Sequence, residues 1–502
     1  MQSPVVSAAE MRAAEAAAFA RGVTAESLMD EAAAGLARTV SQFFPEPGRC
    51  LVFAGKGNNA GDACAAAQLL HGAGWAIEIR LAYPEAELGG LAQGKLARLR
   101  AALPGKAGKN LSTTRARTRP FVILDGLLGL GATLPLREPI RSACRAVNEL
   151  RRDENAFVFS IDLPTGLDGE SGEADEDCTV ADFTVAIGFA KRGLIADRAL
   201  NLVGRLEVVA LSALRKHEEE AGSQEVLATA ASLRHLLPRR PFGAYKNQFG
   251  RVGIVAGSRG FTGAAVLCTL GALRGGAGLV ELFVPEEIYG IVAASVPPEA
   301  MVKPVKSYGS LLHENIDVWA LGPGLGRAGA TDVLELIGQA RRPMVIDADG
   351  LNILSADMSV LAKNPGPRLL TPHPGEMQRL FPDQKGSRAE MATKFCEKHA
   401  VTLLLKGSRT IVAQRGFPIS YNTTGNPGMA TGGMGDVLTG VCAALLAQKP
   451  SPNTAARLGA WVCGRAAEIA IFHGAGSEES LLPSDIIQHL GLAFDDLRNV
   501  PT

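Results

Sequence analysis

Short apolar runs recur along the chain. Each is closed by glycine, asparagine or aspartate, and most are followed by a stretch with helical spacing. Residues 8–20 are alanine-rich with Glu10, Arg12 and Glu15, which predicts a helix by propensity. Residues 27–40 carry Leu28, Met29, Leu36 and Val40 at helical spacing, a second helix. A strand over 50–54 then meets Gly55-Lys56-Gly57-Asn58-Asn59-Ala60-Gly61-Asp62, a helix over 63–71 and an alternating strand over 75–81. Strand, glycine-rich turn, helix and strand make the βαβ unit of a parallel sheet. Further strands are predicted at 121–124, 157–161 and 183–187, with a helix at 140–150. The strands at 50–54, 121–124 and 157–161 end in loops bearing Asn or Asp. In open α/β sheets the carboxyl ends of strands are where ligands bind.

Residues 216–225 change character: they are charged and lack large apolar side chains. A linker is therefore placed at 217–226, between domains at 1–216 and 227–502. The pattern then restarts without being a sequence repeat. A strand over 251–256 leads into a glycine-rich loop and a helix over 264–275. Strands at 279–284, 318–321, 343–346, 368–370, 402–405 and 411–413 follow, and again polar residues gather at their ends. The fold class is α/β, in two domains.

Composition narrows the function. A chain of 502 residues exceeds one ordinary core, and 57 glycines suit many tight strand–helix turns. The 51 basic and 51 acidic residues give zero formal net charge, which argues against nucleic acid or a membrane surface as partner. None of the eight cysteines forms a C-x-x-C pair or has zinc spacing, so they read as small buried hydrophobes in a reducing, cytoplasmic compartment. No signal-peptide pattern opens the chain, and no uncharged apolar run reaches about 18 residues.

The chemistry concentrates in a few loops. Gly432-Gly433-Met434-Gly435-Asp436 precedes an apolar helix over 437–446. Backbone N–H groups at a helix start bind anions, and an aspartate there can take a proton from an attacking hydroxyl. A simple helix cap explains the same residues. Thr371-Pro372-His373-Pro374-Gly375-Glu376 fixes an imidazole between two prolines, and Lys406-Gly407 after a strand offers a point charge to phosphate. In the first half, Asn58, Asn59 and Asp62 are turn formers as well as ligand groups. Oxygens from their loop and from those at Asp125 and Asp162-Leu163-Pro164-Thr165 could hold a hard monovalent cation.

Taken together these motifs resemble a known family. The 55–62 loop, Asp125-Gly126-Leu127-Leu128-Gly129-Leu130-Gly131 and Asp162-Leu163-Pro164-Thr165-Gly166-Leu167 look like the NAD(P)H-hydrate epimerase domain. Thr262-Gly263-Ala264-Ala265, Gly322-Pro323-Gly324-Leu325-Gly326, the His373 loop, Lys406-Gly407 and 432–436 resemble the ADP-dependent NAD(P)H-hydrate dehydratase domain. Both occur in this order in bifunctional NAD(P)H-hydrate repair enzymes. The resemblance implies an N-terminal Rossmann-like and a C-terminal ribokinase-like three-layer sandwich.

By position, it implies that Asn58, Asn59, Ala60, Gly61, Asp62, Gly129, Leu130, Gly131, Ala132, Thr133, Leu134 and Pro135 contact the hydrated nucleotide. Asn59, Asp125 and Thr165 would hold potassium, with Thr165 standing for the commoner serine, and Asp162 would touch the ring as acid/base group. In the dehydratase, Ala264, Gly326, His373 and Asp436 would line the hydrate site, and Asp436 would be the base. Lys406, Gly407, Ser408, Arg409, Thr410 and Gly435 would hold ADP with magnesium. A homo-oligomer is expected.

Ala60 and Ala63 stand where the family has glycine, and a left-handed backbone at either would cost alanine about 1 kcal/mol. Two other readings fit parts of the chain: a ribokinase-like small-molecule kinase fused to a nucleotide-binding domain, and a non-catalytic nucleotide sensor in the first half.

Overall fold

Two units, Met1–Ser223 and Gln224–Thr502, each have their own sheet and buried core. The computed structural model describes residues 3–103, 119–214, 223–237, 239–363, 365–382, 385–474 and 476–499. The segment read as a linker lies outside these up to residue 222, and from Glu225 it is already a strand of the second unit.

In the first unit the strands are β1 (Ser3–Val6), β2 (Arg49–Ala54), β3 (Ala76–Leu81), β4 (Phe121–Gly126), β5 (Phe157–Ile161), β6 (Phe183–Ile187), β7 (Ala190–Lys191) and β8 (Arg205–Val209). The helices are α1 (Ala8–Ala20), α2 (Ala25–Phe43), α3 (Asn58–Gly72), α4 (Gly90–Ala102), α5 (Ile140–Asp153) and α6 (Leu200–Val203). A six-stranded sheet runs β3-β2-β4-β5-β6-β8 with every pair parallel, and β1 pairs in parallel with β7. Parallel neighbours need crossovers, which the helices supply, so the carboxyl ends of β2, β4 and β5 lie side by side. Leu51, Ile123 and Val158 bury one face of the sheet against Ile140, Cys144 and Val147 of α5. The ring of Phe159 stacks on Phe183, which also meets Phe43 of α2.

The second unit holds β9 (Glu225–Ala228), β10 (Arg251–Val255), β11 (Leu279–Pro285), β12 (Ala300–Val305), β13 (Val318–Leu321), β14 (Met344–Ile346), β15 (Arg368–Leu370), β16 (Thr402–Leu405), β17 (Ile411–Gln414) and β18 (Ile419–Asn422). Its helices are α7 (Ala230–Leu233), α8 (Thr262–Arg274), α9 (Tyr289–Ser295), α10 (Ala330–Gln339), α11 (Ala348–Leu354) and α12 (Val360–Lys363). They continue with α13 (Pro374–Leu380), α14 (Arg388–Lys398), α15 (Met434–Ala447), α16 (Pro452–Phe472) and α17 (Pro483–Arg498). Strand order is β12-β11-β10-β13-β14-β15-β16-β17-β18-β9; only β17 is antiparallel to its neighbours. Val437, Val441 and Leu445 of α15 join Cys268 and Ala272 of α8 in the core. These helices touch backbone to backbone: a Cβ at Gly440 would fall 2.0 Å from Cys268 O.

All eight cysteines are buried and free. No helix among the described residues is long and apolar enough to cross a membrane.

Candidate active sites

In the first unit, the helix expected to start at 63 starts at Asn58. Gly57 caps it without a side-chain bond, so Asn58, Asn59, Ala60, Gly61 and Asp62 form its first turns rather than a loop. Ala60 and Ala63 therefore have ordinary helical backbone; neither is among the residues with positive φ. Asn59 Nδ2 donates to Leu128 O (3.0 Å) and Ile161 O (2.7 Å), tying α3 to the ends of β4 and β5. Gly129 adjoins it: a Cβ there would fall 2.6 Å from Asn59 Oδ1. Leu130 packs against the core cluster around α1, Ala132 N closes a turn onto Gly129 O, and Gly131, Thr133, Leu134 and Pro135 stand exposed on the outer loop.

Asp125, at the end of β4, is fully buried. Its carboxylate accepts from Thr165 Oγ1 (2.7 Å), Thr165 N (3.0 Å), Ser160 Oγ (2.9 Å) and Leu127 N (3.3 Å). All four donors are neutral. Burial pushes the Asp125 carboxyl above its ordinary range, and these hydrogen bonds oppose it. A buried carboxylate beside a hydroxyl offers hard-oxygen donors of the kind a monovalent cation takes.

Beyond it lies a group of buried charges. Asp162 has left-handed backbone (φ 68°), and its Oδ1 accepts from Ile187 N (3.1 Å) and from Lys191 Nζ. Lys191 is fully buried and donates also to Ile187 O (2.9 Å). Burial and the nearby Asp162 and Glu15 carboxylates push Asp62 up to about 8, against the pull of Lys95. Burial likewise raises Glu15, with Lys191 opposing.

In the second unit, the ends of β10, β13, β14, β15 and β16 converge with the start of α15. Ser258 Oγ donates to Gly324 O (2.8 Å), and a Cβ at Gly324 would lie 2.8 Å from that of Ala264 in the first turn of α8. Gly326 N donates to Asp349 Oδ2 (2.9 Å). Lys406 Nζ donates to Asp347 Oδ1 (2.6 Å) and lies 3.8 Å from Glu376 Oε2, while Thr439 Oγ1 donates to Asp347 Oδ2 (2.8 Å). Gly435 crosses directly over this pair: a Cβ on it would fall 3.2 Å from Lys406 Nζ. Gly433 takes the left-handed turn (φ 94°) that opens α15, without a side-chain cap.

The charges are coupled. Burial, then the Asp347 and Asp349 carboxylates, push Asp436 up to about 7, with Lys406 opposing. Burial disfavours the Lys406 ammonium, but Asp347, Glu376 and Asp436 outweigh it and raise its pKa. His373 does two things. Its Nδ1 accepts from Gly375 N (3.0 Å), so it caps α13, and its half-exposed Nε2 lies 3.6 Å from Glu376 Oε1. Gly407, Ser408, Arg409 and Thr410 form the turn between β16 and β17, with left-handed backbone at Arg409 and Thr410 Oγ1 donating to Gly407 O (3.0 Å). The loop before α15 is pinned from behind: Gly425 N donates to Glu468 Oε1 (2.9 Å), Arg465 bridges to Glu468 (3.0 Å), and Arg465 Nε reaches Asp496 of α17 (2.7 Å).

Lys406, Gly435 and Asp436 are thus brought together, with His373 beside them through Glu376, Ala264 in the first turn of α8 and Gly326 in the loop after β13. Sequence reasoning gave no role to Asp347, Asp349, Glu376, Thr439, Lys191 or Glu15. The first three stood in strand-end loops already singled out, which was a usable signal. Among the described residues no group of three or more His, Cys, Asp or Glu side chains is placed to hold a metal. Magnesium characteristically takes one or two carboxylates plus substrate phosphates, and Asp347 and Glu376 around Lys406 fit that pattern.

Comparison with known proteins covers both halves. A family model described as YjeF-related protein N-terminus matches residues 25–193, and one described as NAD(P)H-hydrate dehydratase matches 252–490. A bifunctional NAD(P)H-hydrate repair enzyme of Gloeobacter violaceus is 37% identical over 91% of this chain and 91% of its own. That of Moorella thermoacetica is 34% identical over 89% and 88%. A Bacillus subtilis ADP/ATP-dependent NAD(P)H-hydrate dehydratase, co-crystallised with ATP/Mg2+, is 28% identical and covers 54% of this chain and 98% of its own, with a TM-score of 0.48. Relatives that span both halves in this order, and match over nearly their whole length, place the chain in the family of bifunctional NAD(P)H-hydrate repair enzymes.

Proposed function

We propose that this chain repairs hydrated nicotinamide cofactors. The first unit interconverts the R and S forms of NAD(P)H-hydrate, and the second dehydrates the S form at the expense of ADP. The observation that carries the second activity is Asp436, raised to about 7, at a helix start beside Lys406. The hydrate carries a hydroxyl on carbon 6 of the ring, and hydroxide is a poor leaving group.

In the mechanism, Asp436 takes the proton of that hydroxyl, and the oxygen attacks the terminal phosphoryl group of ADP, releasing AMP. The Lys406 ammonium and the N–H groups at 432–435 hold the charge that develops on the phosphoryl oxygens. Phosphate then leaves carbon 6 with the bonding electrons, and a proton leaves carbon 5 as the ring double bond forms. Ala264, Gly326 and His373 line the hydrate side; Lys406 to Thr410 and Gly435 line the nucleotide side. Asp347 and Glu376 would hold magnesium, which supplies charge neutralisation when bound with the nucleotide.

In the first unit, the α3 start and Gly129 to Pro135 bind the hydrate, and Asp162 moves the proton at the reacting ring. Asn59, Asp125 and Thr165 would hold potassium, which supplies a fixed positive charge there. We place it as a cytoplasmic homo-oligomer acting on small molecules; the balanced net charge supports only the part of this reading that excludes nucleic acid and a membrane surface.

The test is an epimer-resolved assay: R- and S-hydrates of NADH and NADPH, with ADP or ATP, following cofactor recovery and phosphate release. Loss of both epimers with stoichiometric phosphate is expected. A stable phosphorylated product with no cofactor recovery would instead establish a small-molecule kinase.

A further inference from the structure

We infer that Lys191 is a positioning residue of the first unit's site, acting by fixing the Asp162 carboxylate. The inference rests on the reading of Asp162 as the acid/base group. Three observations on the chain itself carry it.

Lys191 is fully buried, on the two-residue strand β7 where Val6 pairs with it. A buried ammonium is costly unless its donors are matched. Here Nζ is matched by Asp162 Oδ1 and by Ile187 O at 2.9 Å. Ile187 N donates to that same Asp162 Oδ1 at 3.1 Å. Both donors therefore converge on one carboxylate oxygen, while Oδ2 makes no hydrogen bond among the described residues. The side chain of Asp162 is 12% exposed, against 0% for Lys191, so the carboxylate has an outlet and the ammonium has none. Finally, Asp162 holds a left-handed backbone (φ 68°), which aspartate tolerates better than most L-residues.

This is the geometry of a clamp: one oxygen is held by two donors, and the other is left without one among the described residues, on a side chain that reaches solvent. A lysine that merely filled the core between β1 and β7 would not need to share its acceptor with the backbone of β6.

The full-length chain supplies its own control, because the second unit reports separately. Lys191→Met and Lys191→Arg are compared with the unmodified protein for R/S exchange and for ADP-dependent dehydration of S-hydrate. Expected for Lys191→Met is a fall in exchange kcat of about 10–100-fold. The KM for hydrate should stay within about twofold of the unmodified value and dehydration should be unaffected, with partial recovery in Lys191→Arg. Exchange at the unmodified rate in Lys191→Met would overturn the inference. So would a loss in KM equal to that in kcat with no recovery by arginine, the mark of a structural role. If the unmodified chain exchanges epimers no faster than buffer, the epimerase reading itself fails, and this inference falls with it.

Discussion

Lys406 Nζ lies 2.6 Å from Asp347 Oδ1, so the cation assigned to phosphate already has a carboxylate partner. Asp347 is fixed in turn by the buried Thr439 hydroxyl, one helical turn beyond Asp436. The arrangement holds the ammonium at the strand end, ready to be shared with an incoming phosphoryl group.

Removing the Asp347 charge should move the pH dependence of dehydration. The Asp347 carboxylate is a main cause, after burial, of the raised Asp436 pKa, and Lys406 opposes it. In Asp347→Asn the first influence disappears and Lys406 becomes freer to favour ionised Asp436. The acid limb of kcat, expected near pH 7 in the unmodified protein, should shift to lower pH. A pH–rate series on S-hydrate with saturating ADP reads the shift; an unmoved limb would separate Asp347 from Asp436.

Asp436→Asn should abolish dehydration, by about 10²–10⁴-fold, and leave epimer exchange intact. It should also stabilise the second unit at alkaline pH. An unfolded aspartate titrates near ~4, and the folded one at about 7. The fold thus favours the neutral form, so this contribution to stability is full below about pH 4 and is lost as pH rises through about 7. Thermal melts at pH 5 and pH 8 should show the variant gaining several degrees on the unmodified protein at the higher pH. Activity and stability are traded at this residue.

Potassium should stabilise the first unit through Asp125. Only neutral donors surround that buried carboxylate, and a bound cation would offset the cost of its charge. Exchanging choline for potassium should raise the melting temperature of the unmodified protein by mass action, and should do nothing for Asp125→Asn. Differential scanning calorimetry in the two salts decides it.

Ala60→Gly and Ala63→Gly should each destabilise the first unit by about 0.5–1 kcal/mol without raising epimer exchange. Both positions are buried and helical, so alanine carries none of the penalty that a left-handed turn would impose. Urea unfolding followed by tryptophan fluorescence measures the change; Trp75 lies beside the C-terminal end of α3.

Much of this architecture was legible in the sequence, for a physical reason. Central parallel strands are buried on both faces, so 157–161, 183–187, 318–321, 368–370 and 402–405 read as apolar runs carrying at most one polar residue each, and all five fall on strands with those bounds. Strands with mixed exposure stood out only where they alternate cleanly, as β3 does through Ile77, Ile79 and Leu81; β12 at the end of its sheet mixes partly and fully exposed residues, and β8 is broken by Glu207, and neither stood out. Helix α4 was missed because Gly90 and Gly94 dilute its pattern. At the sites, residues in strand-end loops could be read, since glycine and aspartate mark such turns. Lys191, Glu15 and Thr439 could not. Each sits inside a regular element, and only the packing of distant segments gives it a partner.

The relay from Gly425 through Glu468 and Arg465 to Asp496 makes the last helix part of the site's mounting. Shortening the chain to before Asp496 leaves Glu468 and the loop in place but takes one carboxylate from a buried guanidinium. Such a protein could pass a solubility screen and still bind nucleotide poorly. Tolerance to truncation in this chain is therefore set by what holds the glycine-rich loop, seventy-one residues upstream of Asp496, as much as by what holds the core.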